Sequence, residues 1–212
     1  MSLVFHISAS PRGDRSASLE VARALLEEHR RLAPNDEVIH LDLFATELPP
    51  FDGPVLEAKY GIMHGRPATA PQREAWRAVE RVAEQFKAAD KYVFSLPMWN
   101  FSIPYRLKHY FDVIVQPGLT FNFDPASGYT GLVTGRPVVA IYARGGEYAS
   151  PEAASLDMQK PYLETILGFI GLTDVHSIVV EPTLAGGPDA AKQRLQEAIA
   201  RAKTVAAEVL GA

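Results

Sequence analysis

The sequence contains no cysteine, and this single absence excludes several kinds of site. Without a thiol, the chain can form no disulfide, no thiolate nucleophile and no zinc–thiolate centre. Long apolar runs are also missing, since none approaches the roughly 20 residues that a membrane-spanning helix needs. Residues 1–10 lack the cationic lead-in of a secretory signal. These absences predict a cytoplasmic protein that does not enter a membrane.

A large excess of one sign of charge is missing as well. Lys and Arg number 21 against 25 Asp and Glu, which gives a formal net charge of -4. A surface this balanced creates no strong field to attract nucleic acid, so we expect no nucleic-acid partner. The basic residues of the last predicted helix, Lys192 among them, are interpreted as a solvated face. The six histidines show no metal-binding pair at helical spacing, so no metal site is predicted.

What is present is a regular alternation of two patterns along 212 residues, of which 47% are hydrophobic. This length and composition suit one domain covering residues 1–212. Short apolar runs rich in β-forming residues are followed by segments with apolar residues at helical spacing. Strands are predicted at 4–8, 37–43, 91–96, 137–142 and 175–180, and helices near 19–32, 76–86, 104–115, 158–170 and 190–210.

This alternation implies an α/β fold in which helices cover both faces of a parallel sheet. Five strands favour the flavodoxin-like, doubly wound order 2-1-3-4-5. The Rossmann order requires six strands and a Gly-x-Gly-x-x-Gly turn, whereas residues 8–13 read Ser-Ala-Ser-Pro-Arg-Gly. Two long stretches, 48–71 and 117–136, are predicted as long loops, and their roles as lids or subunit contacts are left open.

The segment after the first predicted strand is rich in hydroxyl side chains and leads into a helix. Ser16 suits a helix N-cap, and Ser10 and Ser18 add further hydroxyls. A helix amino terminus presents free N–H groups and the positive end of its dipole, both of which favour a phosphate monoester. Arg12 and Arg15 could add charge there. Simple helix capping explains the same serines, so both interpretations remain open.

Two further loops leave the same predicted edge, where ligands bind in sheets of this kind. Residues 97–104 follow the third strand, and Asn100 could bond the heteroatoms of a flat ring. Residues 142–148 follow the fourth strand, and Gly145 and Gly146 allow the backbone to approach a ligand closely. Taken singly, a proline-rich turn in the core and an ordinary Gly-Gly turn explain these loops as well.

In their order and spacing, these segments resemble the FMN-dependent NADH azoreductases, which are related to the flavodoxin-fold quinone reductases. The resemblance extends nearly from end to end. The stretches that carry it are Ser10 with 16–18, 97–101, 107–112, 118–121, 131–135, 144–146, 161–163 and 167–175. Each stretch is weak alone, and their combination is specific.

The resemblance implies an FMN-dependent oxidoreductase that passes electrons from NADH or NADPH to azo compounds and quinones by a ping-pong mechanism. No side chain is implied as a catalytic group, because the hydride passes through the flavin. The residues implied to hold FMN are Ser10, Ser16, Ala17 and Ser18 at the phosphate, Met98, Trp99, Asn100 and Phe101 at the isoalloxazine ring, and Ala143, Arg144, Gly145 and Gly146 at its pyrimidine end.

The resemblance further implies a homodimer with two sites at the subunit interface. Phe123 and Phe169 match the aromatic positions that enclose the acceptor above the flavin. Two residues depart from the family pattern, since Ala143 stands where a hydroxyl residue is common and Trp99 replaces the more usual tyrosine. These departures leave the flavin potential and the acceptor preference open.

Three alternatives remain at this level. Quinone reduction could be the main activity, with azo reduction secondary. The chain could be a non-enzymatic electron carrier of the flavodoxin type, although flavodoxins are strongly acidic and usually shorter. It could also be a flavin-free regulatory protein on the same fold.

Overall fold

The computed structural model describes residues 1–211, in which strands and helices alternate from the first element onwards. The strands are β1 (Leu3–Ser8), β2 (Glu37–Asp42), β3 (Lys91–Pro97), β4 (Phe121–Asp124), β5 (Gly128–Gly131), β6 (Val138–Ala143) and β7 (Val175–Val180). The helices are α1 (Ala17–Leu32), α2 (Gly53–Met63), α3 (Ala70–Lys87), α4 (Tyr105–Ile114), α5 (Pro151–Ala154), α6 (Lys160–Ile170) and α7 (Gly187–Val205). None of the helices in this part of the chain has the length and apolar character that crossing a membrane requires.

Five of the strands form one parallel sheet in the order β2-β1-β3-β6-β7. The remaining two, β4 and β5, pair with each other as a separate antiparallel hairpin. With this hairpin set aside, the sheet has the predicted flavodoxin-like order, so that prediction is confirmed. The register aligns Ser8 with Asp42 and Ser95, and Ala143 with Pro97 and Val180. The loops that follow these strands therefore leave from one common edge.

Two apolar layers hold the sheet between its helices, because alternate residues of a strand point to opposite faces. Val93 and Ile141 pack with α1 and α7, whereas Phe94, Ala140 and Tyr142 pack on the other face. The helices contribute at the spacing of an amphipathic stripe. The buried helical residues include Val21, Leu25, Ala198 and Ala202 on the first face, and Val79, Phe86, Leu107, Phe111, Leu163 and Leu167 on the second.

The two long stretches predicted as loops are the main error of the sequence-based fold. Residues 48–71 contain α2, and 117–136 contain the β4–β5 hairpin. The α2 segment hides its periodicity because only Val55 and Ala58 are buried and glycine and proline stand at its start. The hairpin strands are four residues long and mostly exposed, so they lack the apolar run that marks a core strand.

Two glycines fix this hairpin against the end of α6. A Cβ at Gly131 would lie 2.3 Å from the backbone nitrogen of Gly171, so only a glycine permits the approach. The N–H of Val133 donates to the carbonyl of Ile170 at 2.9 Å beside this contact. As a result Phe121 of the hairpin and Phe169 of α6 meet with ring centroids 4.7 Å apart.

Candidate functional site

A cleft of about 380 Å³ opens at the carboxyl edge of the sheet. Its walls are the loops that follow β1, β3, β6 and β7, together with the first turn of α1 and the side of α7 that carries Ala191, Lys192 and Leu195. The predicted site residues that line it are Ser10, Ser16, Ala17, Met98, Trp99, Ala143 and Gly145. The cleft therefore brings the three loops singled out in the sequence into one place, although Ser10 and Gly145 are 135 positions apart in the chain.

The loop after β1 presents the amino terminus of α1 to the cleft. The Ser16 hydroxyl accepts a hydrogen bond from the N–H of Leu19 at 3.4 Å and lies 3.2 Å from the hydroxyl of Ser18. The N–H groups of Ala17 and Ser18 belong to the first turn of the helix, where no earlier carbonyl is available to accept them. This end of the cleft combines hydroxyls, free N–H groups and the positive end of the helix dipole.

Ser10 supplies the most informative single atom of the site. The residue is buried, it lines the cleft, and its hydroxyl has no hydrogen-bond partner in the described part of the chain. Leaving a buried hydroxyl unpaired costs about 1–3 kcal/mol, so such groups are rare without a reason. A phosphate oxygen bound beside the helix terminus would satisfy this hydroxyl. The phosphate end of FMN fits this part of the cleft.

The loop after β3 forms a tight turn with a backbone that non-glycine residues seldom adopt. Trp99 and Ser102 exchange two backbone hydrogen bonds of 2.9 and 3.0 Å, and Asn100 and Phe101 between them have φ values of 47° and 69°. Two consecutive left-handed residues define a type I′ turn, which is strained at a residue such as phenylalanine. The N–H of Met98 donates to the carbonyl of Ala143 at 2.8 Å, so this loop continues the ladder between β3 and β6.

The turn places its side chains differently with respect to the cleft. Met98 and Trp99 line it, whereas Asn100 and Phe101 project from the turn and are exposed. Trp99 is backed by Phe44, with ring centroids 5.6 Å apart. An apolar thioether and an indole side by side form a surface suited to a flat ring. The roles predicted for Asn100 and Phe101 remain predictions.

The loop after β6 reaches the cleft through Ala143 and Gly145. The side chain of Arg144, between them, is buried and engaged in ion pairs, and neither it nor Gly146 lines the cleft. Ala143 offers no side-chain hydrogen bond, so any bond to a ring at this position must come from the backbone. A contact of Arg144 or Gly146 with FMN remains a prediction.

The loop after β7 is a wall of the cleft that the sequence interpretation missed. Thr183 and Leu184 line the cleft, and Leu184 is 75% exposed, which is unusual for a leucine in an ordered turn. Lys192 of α7 also faces the cleft besides being open to solvent. A signal was available, since the fifth predicted strand must end at the same edge as the others. Cationic and anionic residues both border the cleft, namely Arg12, Arg15 and Lys192 against Asp14 and Glu20.

The two predicted acceptor-pocket residues lie apart from this cleft. Phe123 and Phe169 are absent from its lining and belong to an aromatic cluster on the hairpin and α6. Tyr129 joins them, at 4.9 Å from Phe123 and 5.4 Å from Phe169 between ring centroids. Phe123 and Tyr129 are mostly exposed. Their placement at an acceptor site therefore remains a prediction.

A buried histidine lies two residues before the end of β1. His6 Nε2 is 2.8 Å from the hydroxyl of Ser95, and its Nδ1 is 2.9 Å from Nδ1 of His40. Burial, followed by the nearby charge of His40, lowers the pKa of His6 from 6.5 to about 3. Two ring nitrogens at this distance share one hydrogen, so one ring donates and the other accepts, and burial holds His6 in its uncharged form. Across residues 1–211, no three or more His, Cys, Asp or Glu side chains are grouped as metal ligands.

Comparison with known proteins places this geometry in a family. The family described as "Flavodoxin-like fold" matches residues 2–206. The FMN-dependent NADH:quinone oxidoreductase of Nitratidesulfovibrio vulgaris (strain DP4) is 54% identical over 209 residues, which cover 98% of this chain and 100% of that protein. The chain belongs to the flavodoxin-like family of FMN-dependent NADH:quinone oxidoreductases. The family resemblance seen in the sequence is thereby confirmed.

Solved structures agree with this family assignment. The azoreductase of Bacillus anthracis str. Sterne is 30% identical and has a TM-score of 0.90. The match covers 98% of this chain and 100% of that one. The FMN-dependent NADH-azoreductase of Bacillus anthracis str. Ames Ancestor, solved in complex with FMN, is 28% identical with a TM-score of 0.88 and covers 98% and 99% of the two chains. The likeness extends over nearly the whole of each chain.

Proposed function

We propose that this protein is an oxidoreductase that binds FMN in the carboxyl-edge cleft and transfers electrons from NADH to quinones and azo compounds. The observation that carries the proposal is the unpaired, buried hydroxyl of Ser10 beside the free amino terminus of α1, opposite the Met98–Trp99 surface. One end of the cleft suits a phosphate ester and the other suits a flat ring. The names of the relatives, which combine FMN, NADH and quinone or azo substrates, agree with this arrangement.

The chain itself supplies binding and orientation. The hydroxyls of Ser10 and Ser16 and the first N–H groups of α1 hold the phosphate, while Met98 and Trp99 support the ring. Backbone groups of Ala143 and Gly145 lie at its far end. FMN, when bound, supplies the chemistry by accepting a hydride from the nicotinamide and passing electrons to the acceptor.

Flavin binding tests the proposal directly. We expect the purified protein to quench the fluorescence of added FMN and to bind it with 1:1 stoichiometry. Ser16→Ala should lower the affinity for FMN about tenfold or more, since a hydrogen bond to a charged group contributes about 1.5–3 kcal/mol. Riboflavin lacks the phosphate, and its affinity should stay unchanged.

A matched control is available in the same chain. Ser150 caps α5 by accepting from the N–H of Ala153 at 3.3 Å, and it does not line the cleft. Ser150→Ala therefore removes a helix cap without touching the phosphate end. Equal FMN affinity for Ser16→Ala and Ser150→Ala would contradict the proposed phosphate site, and a protein that binds no FMN would contradict the function itself.

The order of substrates is also open to test. The donor and the acceptor use the same cleft in turn, so we expect ping-pong kinetics with NADH and a quinone. Double-reciprocal plots should give parallel lines when both substrates are varied. Intersecting lines would show that both substrates bind together. Steady NADH oxidation by the purified protein with a quinone, and without any partner protein, also distinguishes an enzyme from an electron carrier of the flavodoxin type.

The active form in this proposal is a homodimer with both clefts at the subunit interface. Phe123 and Tyr129 are exposed aromatic residues that the cleft of their own chain does not use, so a second copy would bring them to the partner's cleft. Mixed dimers of Ser16→Ala and Phe123→Ala chains should regain one intact site. Mixed dimers no more active than either parent would contradict this arrangement. We assign the protein to the cytoplasm, where NADH is available, and cell fractionation tests that assignment.

A further inference from the structure

The guanidinium of Arg144 is the most completely buried charged group at the carboxyl edge, with 4% of its side chain exposed. Its Nε donates to Oε1 of Gln159 at 3.0 Å, and one terminal nitrogen donates to Oε2 of Glu181 at 3.3 Å. The other terminal nitrogen lies 2.7 Å from Oδ2 of Asp157. The contact with Asp157 is an ion pair, whereas Gln159 and Glu181 accept hydrogen bonds. The three partners come from two different segments, the one that precedes and begins α6 and the one that follows β7.

The backbone of the same residue is held on both sides. The N–H of Arg144 donates to the carbonyl of Val180 at 3.0 Å, and the N–H of Thr183 donates to the carbonyl of Arg144 at 2.8 Å. The carbonyl of Gly145 accepts from the N–H groups of Leu184 and Ala185 at 3.1 and 2.9 Å. The loops after β6 and β7, which form adjoining walls of the cleft, are thus joined by main-chain bonds.

The network also reaches the turn that follows β3. Asp157 accepts from the N–H groups of Gln159 and Lys160 at 3.0 and 3.1 Å, which shapes the start of α6. The N–H of Met158, beside it, donates to the carbonyl of Phe101 at 2.9 Å. Arg144 is therefore linked, through Asp157 and its neighbour, to the strained turn that carries Trp99.

We propose that the side chain of Arg144 is a positioning group that sets the shape of the ring-binding end of the cleft without itself contacting the ligand. Its guanidinium cross-links the loop after β6, the segment before α6 and the segment after β7, so the walls are in place before a flavin binds. This inference rests on the proposed function. Preorganised walls increase affinity because binding then orders fewer loops.

Only arginine suits this position. The two acceptors and the ion-pair partner lie on different segments, and a planar guanidinium offers donors and charge in a fixed fork, whereas lysine offers one compact ammonium. A buried ionic network is by itself weak support for stability, because desolvation offsets much of the attraction. The position of this network between three cleft walls points to a role in shape.

The test compares two flavins in Arg144→Lys, a variant that keeps the charge and loses the fork. Affinities for FMN and riboflavin are measured by fluorescence quenching at a temperature where the protein is folded. Because the effect lies at the ring end, we expect both affinities to fall by the same factor, about tenfold or more. Ser16→Ala, in contrast, should weaken FMN alone.

Arg136→Lys is the matched control, since Arg136 also bonds a backbone carbonyl and the Tyr92 hydroxyl from a part-buried position away from the cleft. It should leave both affinities unchanged. If Arg144→Lys does not fold, Glu181→Gln provides the same readout, because it removes one ion pair of the network and keeps the size of the side chain. Folded Glu181→Gln should then bind FMN and riboflavin more weakly than the wild type, by the same factor for both.

Three results would overturn the inference. Wild-type affinity for both flavins in a folded network variant would show that Arg144 affects stability only. A larger loss for FMN than for riboflavin would place its effect at the phosphate. A wild-type protein that binds neither flavin would overturn the proposed function and this inference together, which distinguishes that failure from the first two.

Discussion

A buried cationic side chain lies at each edge of the parallel sheet, and the two have different surroundings. At the amino edge, Lys91 donates to the carbonyl of Leu210 at 2.6 Å and lies 3.8 Å from a carboxylate oxygen of Asp36. At the carboxyl edge, Arg144 of the cleft-wall loop after β6 contacts Asp157 and Gln159 beside the start of α6 and Glu181 in the segment after β7. The contacts of Lys91 join β3 to Leu210 near the end of the chain, whereas the contacts of Arg144 join the loop after β6 to the segments before α6 and after β7.

The backbone around the two clusters differs in the same way. At the amino edge, the N–H groups of Ser2 and Leu3 donate to Asp36 and Asp90 at 2.7 and 2.8 Å, which pins the start of β1. At the carboxyl edge, Ser10 keeps an unpaired hydroxyl, and Asn100 and Phe101 are held in left-handed conformations. Buried unpaired groups occur at both edges, since the ring nitrogens of His29 beside Asp36 also lack hydrogen-bond partners. Left-handed backbone at non-glycine residues, in contrast, is confined among residues 1–211 to the turn at the edge where we propose that a ligand binds.

The largest expected effect tests the amino edge. Lys91→Met leaves Asp36 with its cation removed in a mostly buried position, so the free energy of unfolding should fall by about 3 kcal/mol. The affinity for FMN should not change, because the cluster lies at the other end of the sheet. Urea denaturation and flavin titration measure the two quantities. A change in FMN affinity with little loss of stability would break the comparison between the edges.

The next effect is a dependence of stability on pH. It arises from His6, which lies within β1 between the two edges of the sheet. Its folded pKa of about 3 lies below the unfolded value of 6.5, so between these pH values the unfolded chain binds a proton that the folded chain does not. The contribution of neutral His6 to the free energy of unfolding is therefore fully present above pH 6.5. It decreases as the pH drops, by about 1.4 kcal/mol per pH unit or about 2 kcal/mol between pH 6.5 and 5.

The control for this prediction is His6→Gln, which cannot take up a proton. Burial also lowers the pKa of His29 and of His40, so some loss of stability in acid should remain in the variant. The difference between the wild-type and variant pH profiles, measured by urea denaturation, isolates the contribution of His6. Parallel profiles for the two proteins would contradict its assigned neutrality.

A smaller effect of opposite sign is expected at the carboxyl edge. Ser10→Ala removes an unpaired buried hydroxyl, so the protein without flavin should become more stable by about 1 kcal/mol. Its FMN affinity should decrease. Ser95→Ala is the comparison, because the Ser95 hydroxyl is bonded to His6 and its removal should destabilise the protein. A loss of stability in Ser10→Ala would show that its hydroxyl is already satisfied.

The smallest effect is expected in the turn after β3. Asn100→Gly relieves a positive φ of 47°, and thermal unfolding should show a gain of about 0.5 kcal/mol or less. Asn35, in the turn before β2 at the amino edge, is not among the residues with positive φ. Asn35→Gly should therefore lower stability, and equal effects of the two substitutions would remove the contrast in strain between the edges.

Much of the architecture could be predicted because its signals are local. The apolar run at 91–96 and the stripe of α3, from Trp76 to Phe86, each specify an element from neighbouring residues alone. The hydroxyls beside the start of α1 are a local signal of the same kind, and the phosphate site that they indicate stays a prediction. Short elements escaped prediction, since α2 buries little and the β4–β5 hairpin is mostly exposed.

The sequence by itself determined the alternation of strands and helices, the parallel sheet and the three loops at its carboxyl edge, because periodicity and helix capping depend on residues close together in the chain. Only the tertiary structure decided that Thr183 and Leu184 complete the cleft and that the side chain of Arg144 turns away from it into an ionic network. It also set Phe123 apart from the cleft of its own chain. Such outcomes depend on how segments distant in sequence pack together, and no local pattern records that packing.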